Sequence, residues 1–159
     1  MTMSGERILY TIGHSNHPLE KFLSLLTAHE ISTLVDVRSW PASHRLPHFN
    51  RTALQISVTK AGISYLWFGK DLGGKNDGDT AGRAFRSRIG ELAEFAERGP
   101  AAMMCAEEDP LRCHRKHLLA APLTLLSTEL VHIRGDGRLV WDNALNADAA
   151  AQLSLFAGF

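Results

Sequence analysis

Both cysteines of the chain fall in one stretch, Met104-Cys-Ala-Glu-Glu-Asp-Pro-Leu-Arg-Cys-His-Arg115. Cys113 stands between Arg112 and the pair His114-Arg115, where a helix is expected to begin near Arg112 or Cys113. Neighbouring cations and the positive end of a helix dipole lower a thiol's pKa. A Cys113 thiolate with His114 as its acid or base is therefore the first chemistry this pattern suggests. The plain alternative makes Cys113 a small helix residue and Cys105 an inert core residue at a strand end, as buried cysteines usually are. In rhodaneses and cysteine phosphatases, too, a cysteine ends a strand and an arginine opens the next helix around an anion. Here Arg112 comes seven positions after Cys105, and Glu107, Glu108 and Asp109 intervene, so a phosphate cradle is disfavoured.

Carboxylate chemistry is the second reading. Asp36 or Glu107 can act as acid or base beside His14 and Arg38 if all four reach one rim. Against this, an aspartate inside a buried strand is commonly a hydrogen-bond acceptor for a neighbouring loop. Glu107 directly follows a strand end and is the better placed of the two. A metal could be held by a pair on one helix, Cys113 with His117 four apart or His114 with His117 three apart, but no clear third and fourth ligand completes either, so neither metal nor cofactor is expected. Arg38, His44, Arg45, His48 and Arg51 interleave with Trp40 and Phe49, a mixture that can contact phosphates and stack on a base. The same aromatics can instead plug the core, and the sequence does not choose.

The elements that must position these residues follow from hydrophobic patterning. Arg7 to Ile12 reads as a first strand ended by Gly13, and Pro18 opens a helix running to about His29. Thr33 to Val37 is a second strand. Two prolines make Arg38 to Asn50 a loop, after which Asn50 caps a helix from Arg51 to Ala61. Ile63 to Phe68 is a third strand, and the glycines and aspartates of Lys70 to Asp79 form a loop. An amphipathic helix spans Ala81 to Arg98, with Phe85, Ile89, Leu92, Phe95 and Ala96 inward. Ala101 to Cys105 is the fourth strand. Helical pieces then run to Ser127, Leu130 to Ile133 is the fifth strand, and Gly135-Asp-Gly137 turns back into Arg138 to Trp141.

Alternating strands and helices imply an α/β fold: a mostly parallel sheet with helices on both faces, a three-layer Rossmann-like arrangement. Ligands in such folds bind at the carboxyl ends of the strands. The turns Gly13 to His17, Asp36 to Asn50, Gly69 to Asp79 and Cys105 to Arg115 all follow strands. They are expected to share that rim, with Cys113, His114, Glu107 and Asp36 as catalytic candidates and His14, Asn16, Arg38, Arg45, Asn50, Cys105 and Arg115 as ligand contacts.

Thr11-Ile-Gly-His-Ser-Asn16, Val35-Asp-Val-Arg-Ser39, Phe49-Asn50 and Met104 to Arg115 occur together and in this order. On these motifs the chain resembles the domain of unknown function 488 family, over about Ile8 to Ile133. The resemblance implies an α/β fold and a shared polar site. It brings no established reaction.

Composition bounds what remains. Residues 1–143 fit a single domain, with 144–159 as a flexible tail. Seventeen basic and seventeen acidic residues leave no net charge with histidines neutral, so no global basic field grips DNA. No apolar run is long enough for a bilayer, and the first ten residues lack the features of a signal peptide, so a cytoplasmic protein with free thiols is expected. In the tail, Gln152-Leu-Ser-Leu-Phe156 matches the bacterial sliding-clamp-binding peptide at every position, after an alanine-rich tether. The alternative for this segment is a short helix packing Leu153, Leu155 and Phe156 onto the domain. The clamp reading is preferred, because apolar anchors on an accessible tether suit a partner's groove.

The combined expectation is an enzyme acting on DNA or a nucleotide-derived substrate, brought to DNA indirectly by the clamp. The alternatives are a non-catalytic adaptor that binds a nucleic-acid end or small ligand, and a metal-binding protein.

Overall fold

Strands and helices alternate through the protein as the hydrophobic pattern predicts. The computed structural model describes residues 7–73 and 82–145. Its elements are β1 (Arg7–Gly13), α1 (Leu19–Ala28), β2 (Thr33–Asp36), α2 (Arg51–Lys60), β3 (Ser64–Trp67), α3 (Gly69–Leu72) and α4 (Arg83–Arg98). Then follow β4 (Ala101–Cys105), α5 (His114–His117), α6 (Ala120–Leu125), β5 (Thr128–Ile133) and β6 (Leu139–Trp141), with 3-10 turns at Pro47–Phe49 and Pro110–Arg112.

The sheet runs β3-β2-β4-β1-β5-β6. β1 to β5 are all parallel, and only β6 is antiparallel, closing a hairpin on β5. All five residues of the central β4, Ala-Ala-Met-Met-Cys, are buried, as a strand covered on both faces must be. Strand alternation sends Met103 to one face and Ala102 and Met104 to the other. Met103 joins a core with Leu92 of α4 and Leu123 of α6, while Met104 packs with Phe22 and Leu26 of α1 and Leu54 and Val58 of α2. The fold is α/β with three layers. Among the described residues, no helix is long and apolar enough to cross a membrane.

Packing rather than capping holds α1. Pro18 offers no side-chain cap, but Phe22, Leu25 and Leu26 are buried. A cap is worth ~1 kcal/mol, whereas each fully buried side chain of this kind contributes ~1.5–3 kcal/mol.

Two local expectations are corrected. Asn50 precedes α2 but makes no side-chain cap; its Oδ1 accepts from the Ser43 backbone N–H, so it ties the proline-rich loop together instead. The segment from Lys70 is not loop from its start, because Gly69–Leu72 forms a helical turn with Leu72 fully buried. On α4 the expected inner face holds: Phe85, Ile89 and Leu92 are buried, Phe95 and Ala96 pack partly covered against the same core, and Ala93 joins them. Residues 74–81 and the peptide Gln152 to Phe156 lie outside the described residues.

Candidate functional site

Because β1, β2, β3 and β4 are parallel and adjacent, their carboxyl ends bring Gly13, Asp36, Trp67 and Cys105 to one rim. The turns leaving it are bonded to one another. His14 N–H donates to Cys105 O at 2.9 Å, Ser15 N–H to Ala106 O at 2.9 Å, and Val37 N–H to Met104 O at 2.9 Å. Gly13 makes this approach possible: a Cβ there would lie 1.9 Å from Glu107 O. Any side chain would push the β1 turn and the cysteine loop apart.

The cysteine loop has a defined local cause. Asp109 Oδ1 accepts from Leu111 N–H at 3.0 Å and starts the 3-10 turn at Pro110. That turn ends at Cys113, whose extended backbone caps α5 and whose sulfur accepts from Arg115 N–H at 3.5 Å. Arg115 then turns inward and is fully buried. Its Nε donates to Cys113 Sγ at 3.3 Å, Nη1 to Thr11 Oγ1 at 3.3 Å, and Nη2 to Glu107 O at 2.6 Å and Glu108 O at 3.3 Å. None of these partners is a carboxylate. A buried cation requires a compensating anion, and the Cys113 sulfur is the group placed to supply it.

Cys113 Sγ also lies 3.7 Å from His114 Nδ1, while His114 Nε2 meets Val37 O at 3.1 Å. A carbonyl only accepts, so Nε2 carries a proton and Nδ1 faces the sulfur. Both cysteines are free and buried. Cys113 is pulled well below the usual thiol range, first by a hydrogen bond from the Cys105 thiol, against the opposing effect of burial, and further by His114 and Arg115. The same bond and burial push Cys105 up, so Cys105 keeps its proton.

Beside this cluster stands a second buried arginine. Arg38 Nε donates to Asp36 Oδ1 at 2.9 Å and Nη2 to Asp36 Oδ2 at 2.8 Å, and the Arg38 N–H reaches Oδ1 at 3.1 Å. Tyr65 Oη donates to Asp36 Oδ2 at 2.5 Å. Burial first, and then the Asp36 charge, push the Tyr65 phenol up, which keeps it a donor. Asp36, fully buried and with both oxygens engaged, therefore positions Arg38. Arg38 Nη1 meets His14 Nε2 at 3.3 Å, and His14 Nδ1 meets Ser15 O at 2.8 Å. The carbonyl requires the proton on Nδ1, so Nε2 accepts from the guanidinium. Burial lowers the His14 pKa to about 4, consistent with a neutral ring.

Over the cysteine cluster opens a cavity of about 270 Å³, lined by Arg38, Trp40, Cys105, Glu107, Arg112, Cys113 and His114 among others. Of the acids expected to repel an anion, only Glu107 lines it. Glu108 is turned away into a bidentate pair with Arg134 at 2.8 and 3.1 Å, and Asp109 is spent on the 3-10 turn. The arginine that reaches the cysteines is Arg115, whereas Arg112 is exposed at the cavity wall.

The rim thus brings together Cys105, Cys113, His114, Arg115, Arg38, Asp36 and His14, with the Glu107 backbone. Other candidates stand apart. Asn16 is exposed on its turn, with Oδ1 3.5 Å from Ser15 Oγ. Arg45 is exposed, Asn50 serves the loop, and exposed His117 bonds its Nε2 to Leu111 O rather than joining the cysteines. The aromatic loop divides. Phe49 is fully buried and stacks on His14 with centroids 4.4 Å apart, while Trp40 is 75% exposed at the cavity mouth.

Four partners escaped sequence reasoning: Thr11, Tyr65, His132 and Asp142. His132 Nδ1 meets Thr11 Oγ1 at 2.6 Å, and Asp142 Oδ1 takes His132 Nε2 at 2.8 Å and Lys116 Nζ at 3.1 Å. A histidine inside the apolar run Leu130 to Ile133 was the available signal, since a buried ring needs a polar partner.

No curated protein and no solved structure matches the chain. A family model described as a domain of unknown function, DUF488, matches residues 18–84 and 79–121. That span includes the Asp36–Arg38 pair and the whole Cys105 to Arg115 loop, and stops just short of the Thr11 to Asn16 turn. With well over half of its length matched, the chain belongs to the DUF488 family, a domain of unknown function.

Proposed function

We propose that the protein is a thiol-dependent enzyme in which Cys113 attacks an electrophilic centre of a nucleotide- or DNA-derived substrate held in the cavity at the strand ends. The observation that carries this reading is the fully buried Arg115 guanidinium, aimed at Cys113 Sγ with no carboxylate among its described partners. Such a placement stabilises a thiolate, the nucleophilic form of cysteine. In the step, a bond forms from Cys113 sulfur to the electrophile. His114 Nδ1 holds the proton that the Cys113 thiol gave up on ionising, and the leaving group departs with its bonding pair and takes that proton. Water then releases the adduct, with His114 Nδ1 recovering a proton. Glu107 stays the carboxylate candidate at the wall, and exposed Trp40 beside Arg112 offers a stacking surface and a cation, which supports a substrate carrying a base and a phosphate.

Recruitment belongs to the same reading. Gln152, Leu153, Ser154, Leu155 and Phe156 would enter the apolar groove of the bacterial sliding clamp, raising the enzyme's concentration at replicating or repaired DNA without a basic surface.

Two measurements test the proposal. Iodoacetamide labelling of the full chain at neutral pH, followed by peptide mass spectrometry, is expected to modify Cys113 before Cys105 and faster than free glutathione; labelling no faster than glutathione removes the nucleophile. Pull-down on immobilised clamp is expected to lose the chain when Leu155 and Phe156 are both changed to Ala, and unaltered retention removes the tether. A non-catalytic adaptor would show slow labelling together with retained ligand binding.

A further inference from the structure

We infer that Cys105, Cys113 and His114 together bind a soft divalent cation of the zinc class, and that the filled site holds Cys113 silent as a nucleophile. The two sulfurs and a ring nitrogen of His114 all lie within 4.8 Å of one another. Tetrahedral zinc with bonds of about 2.3 Å to sulfur and about 2.0 Å to nitrogen sets its ligands roughly 3.6 Å apart. The 3.7 Å from Cys113 Sγ to His114 Nδ1 already matches that edge.

The surroundings are those a metal site needs. His114 Nε2 donates to Val37 O at 3.1 Å, which fixes the tautomer and leaves Nδ1 facing the Cys113 sulfur. Arg115 donates to Cys113 Sγ through its backbone N–H and its Nε, so a coordinated thiolate keeps its hydrogen bonds. Cys105 comes from the end of β4 and Cys113 and His114 from the start of α5, so two separate elements grip the ion. All three residues line the same cavity, which leaves the fourth coordination position on the cavity side. The donor set of two thiolates and one imidazole selects zinc-like ions over magnesium or calcium, which take oxygen.

Charge and protons balance. Entry of the dication displaces two protons, one from Cys105 and one shared between Cys113 and His114 Nδ1. The buried cluster gains no net charge. His117, which sequence spacing places beside Cys113, takes no part.

The metal site stands on geometry alone. Only its consequence for Cys113 rests on the proposed thiol chemistry, and the test separates the two. The full chain, reduced and stripped with chelator, is titrated with Co²⁺. Thiolate-to-cobalt charge-transfer absorption and the strong visible bands of tetrahedral cobalt are expected, both abolished by Zn²⁺. Cys105→Ser, Cys113→Ser and His114→Ala should each weaken binding by at least about tenfold, the loss that even outer partners of metal ligands cause, while His117→Ala should not. Saturating Zn²⁺ should slow Cys113 alkylation by about a hundredfold, because a coordinated sulfur lone pair no longer attacks. Absence of charge-transfer bands, or bands that survive in both Cys105→Ser and His114→Ala, overturns the site. Fast alkylation of metal-free Cys113 with no cobalt bands sinks the metal and keeps the nucleophile. Cobalt bands with an ordinary alkylation rate do the reverse.

Discussion

Two buried arginines stand at the same rim and meet opposite kinds of partner. Arg38 closes on a carboxylate: Asp36 takes its Nε, its Nη2 and its backbone N–H, and Tyr65 fills the remaining acceptor site. Arg115 closes on two carbonyls, a hydroxyl and a sulfur. Asp36 meets the guanidinium with both oxygens and at full burial, so that pair is an electrostatic staple. A thiol is neutral unless something favours its anion, so Arg115 alters the chemistry of what it touches. Burial at one rim therefore gives one arginine a structural duty and the other a reactive one.

The sharpest break of this comparison is Arg38→Met. It strands the fully buried Asp36 charge, and loss of one partner of a buried pair costs about 3–5 kcal/mol. Urea unfolding should show that loss, while Cys113 of the folded fraction alkylates near the wild-type rate. If alkylation fell as steeply as stability, the two arginines would be one network and the division of duties would be lost.

Next in size is a pH effect on the Arg38 side. His14 has a folded pKa of about 4 against 6.5 when unfolded. Between those values the unfolded chain binds the extra proton, so unfolding free energy rises with pH through the window. The contribution is fully present above pH 6.5 and is lost as pH falls towards 4, for an upper value of about 3 kcal/mol. The pKa of His132 is lowered in the same sense, burial being the largest cause. His14→Gln should flatten the slope measured by urea unfolding between pH 7 and 4.5. An unchanged slope would assign it to other groups.

Arg115→Met should separate reactivity from stability in the other direction. Cys113 can accept a proton once its cation is gone, so no buried charge is stranded. Alkylation at neutral pH is expected to slow by about ten- to a hundredfold, equivalent to about 1.4–2.7 kcal/mol, because the Cys105 and His114 contacts persist. An unaffected rate would mean those two contacts alone hold the thiolate.

The same comparison shows what the sequence made legible. The strand ends, the shared rim and the Cys113-His114-Arg115 cap follow from local pattern, because hydrophobic runs and helix starts are written in neighbouring residues. Which arginine turns inward is not. The 3-10 turn nucleated by Asp109 and Pro110 sets the phase of the next helix, pointing Arg115 into the core and leaving Arg112 outside. Tyr65 was missed for a different reason. It reaches Asp36 through the β2–β3 register, in which Leu34 stands beside Tyr65 and Asp36 beside Trp67, and that pairing joins distant parts of the chain. Cys105 was readable as a strand end but not as a partner of His114, since only the parallel pairing of β2, β4 and β1 brings Val37, Cys105 and α5 together.

The smallest effect concerns the path by which Arg115 is itself held. Asp142 accepts from His132 Nε2, so that nitrogen carries the proton; burial favours the neutral ring, and Nδ1 must then accept. The Thr11 hydroxyl donates to it at 2.6 Å, which leaves the Thr11 oxygen lone pairs for Arg115 Nη1. Thr11 thus has one orientation, and the chain from Asp142 to Arg115 runs in one direction. Thr11→Val removes the hydroxyl and leaves both His132 Nδ1 and Arg115 Nη1 a partner short, at about 1–2 kcal/mol of stability. Thr11→Ser restores the hydroxyl and should recover most of it. If the hydroxyl positions the guanidinium against Cys113, the Val variant also alkylates a few-fold more slowly and the Ser variant does not. Equal alkylation by both, with only the Val protein destabilised, would make this chain a structural support of the β1–β5 pair and leave Arg115 oriented by Cys113, Glu107 and Glu108.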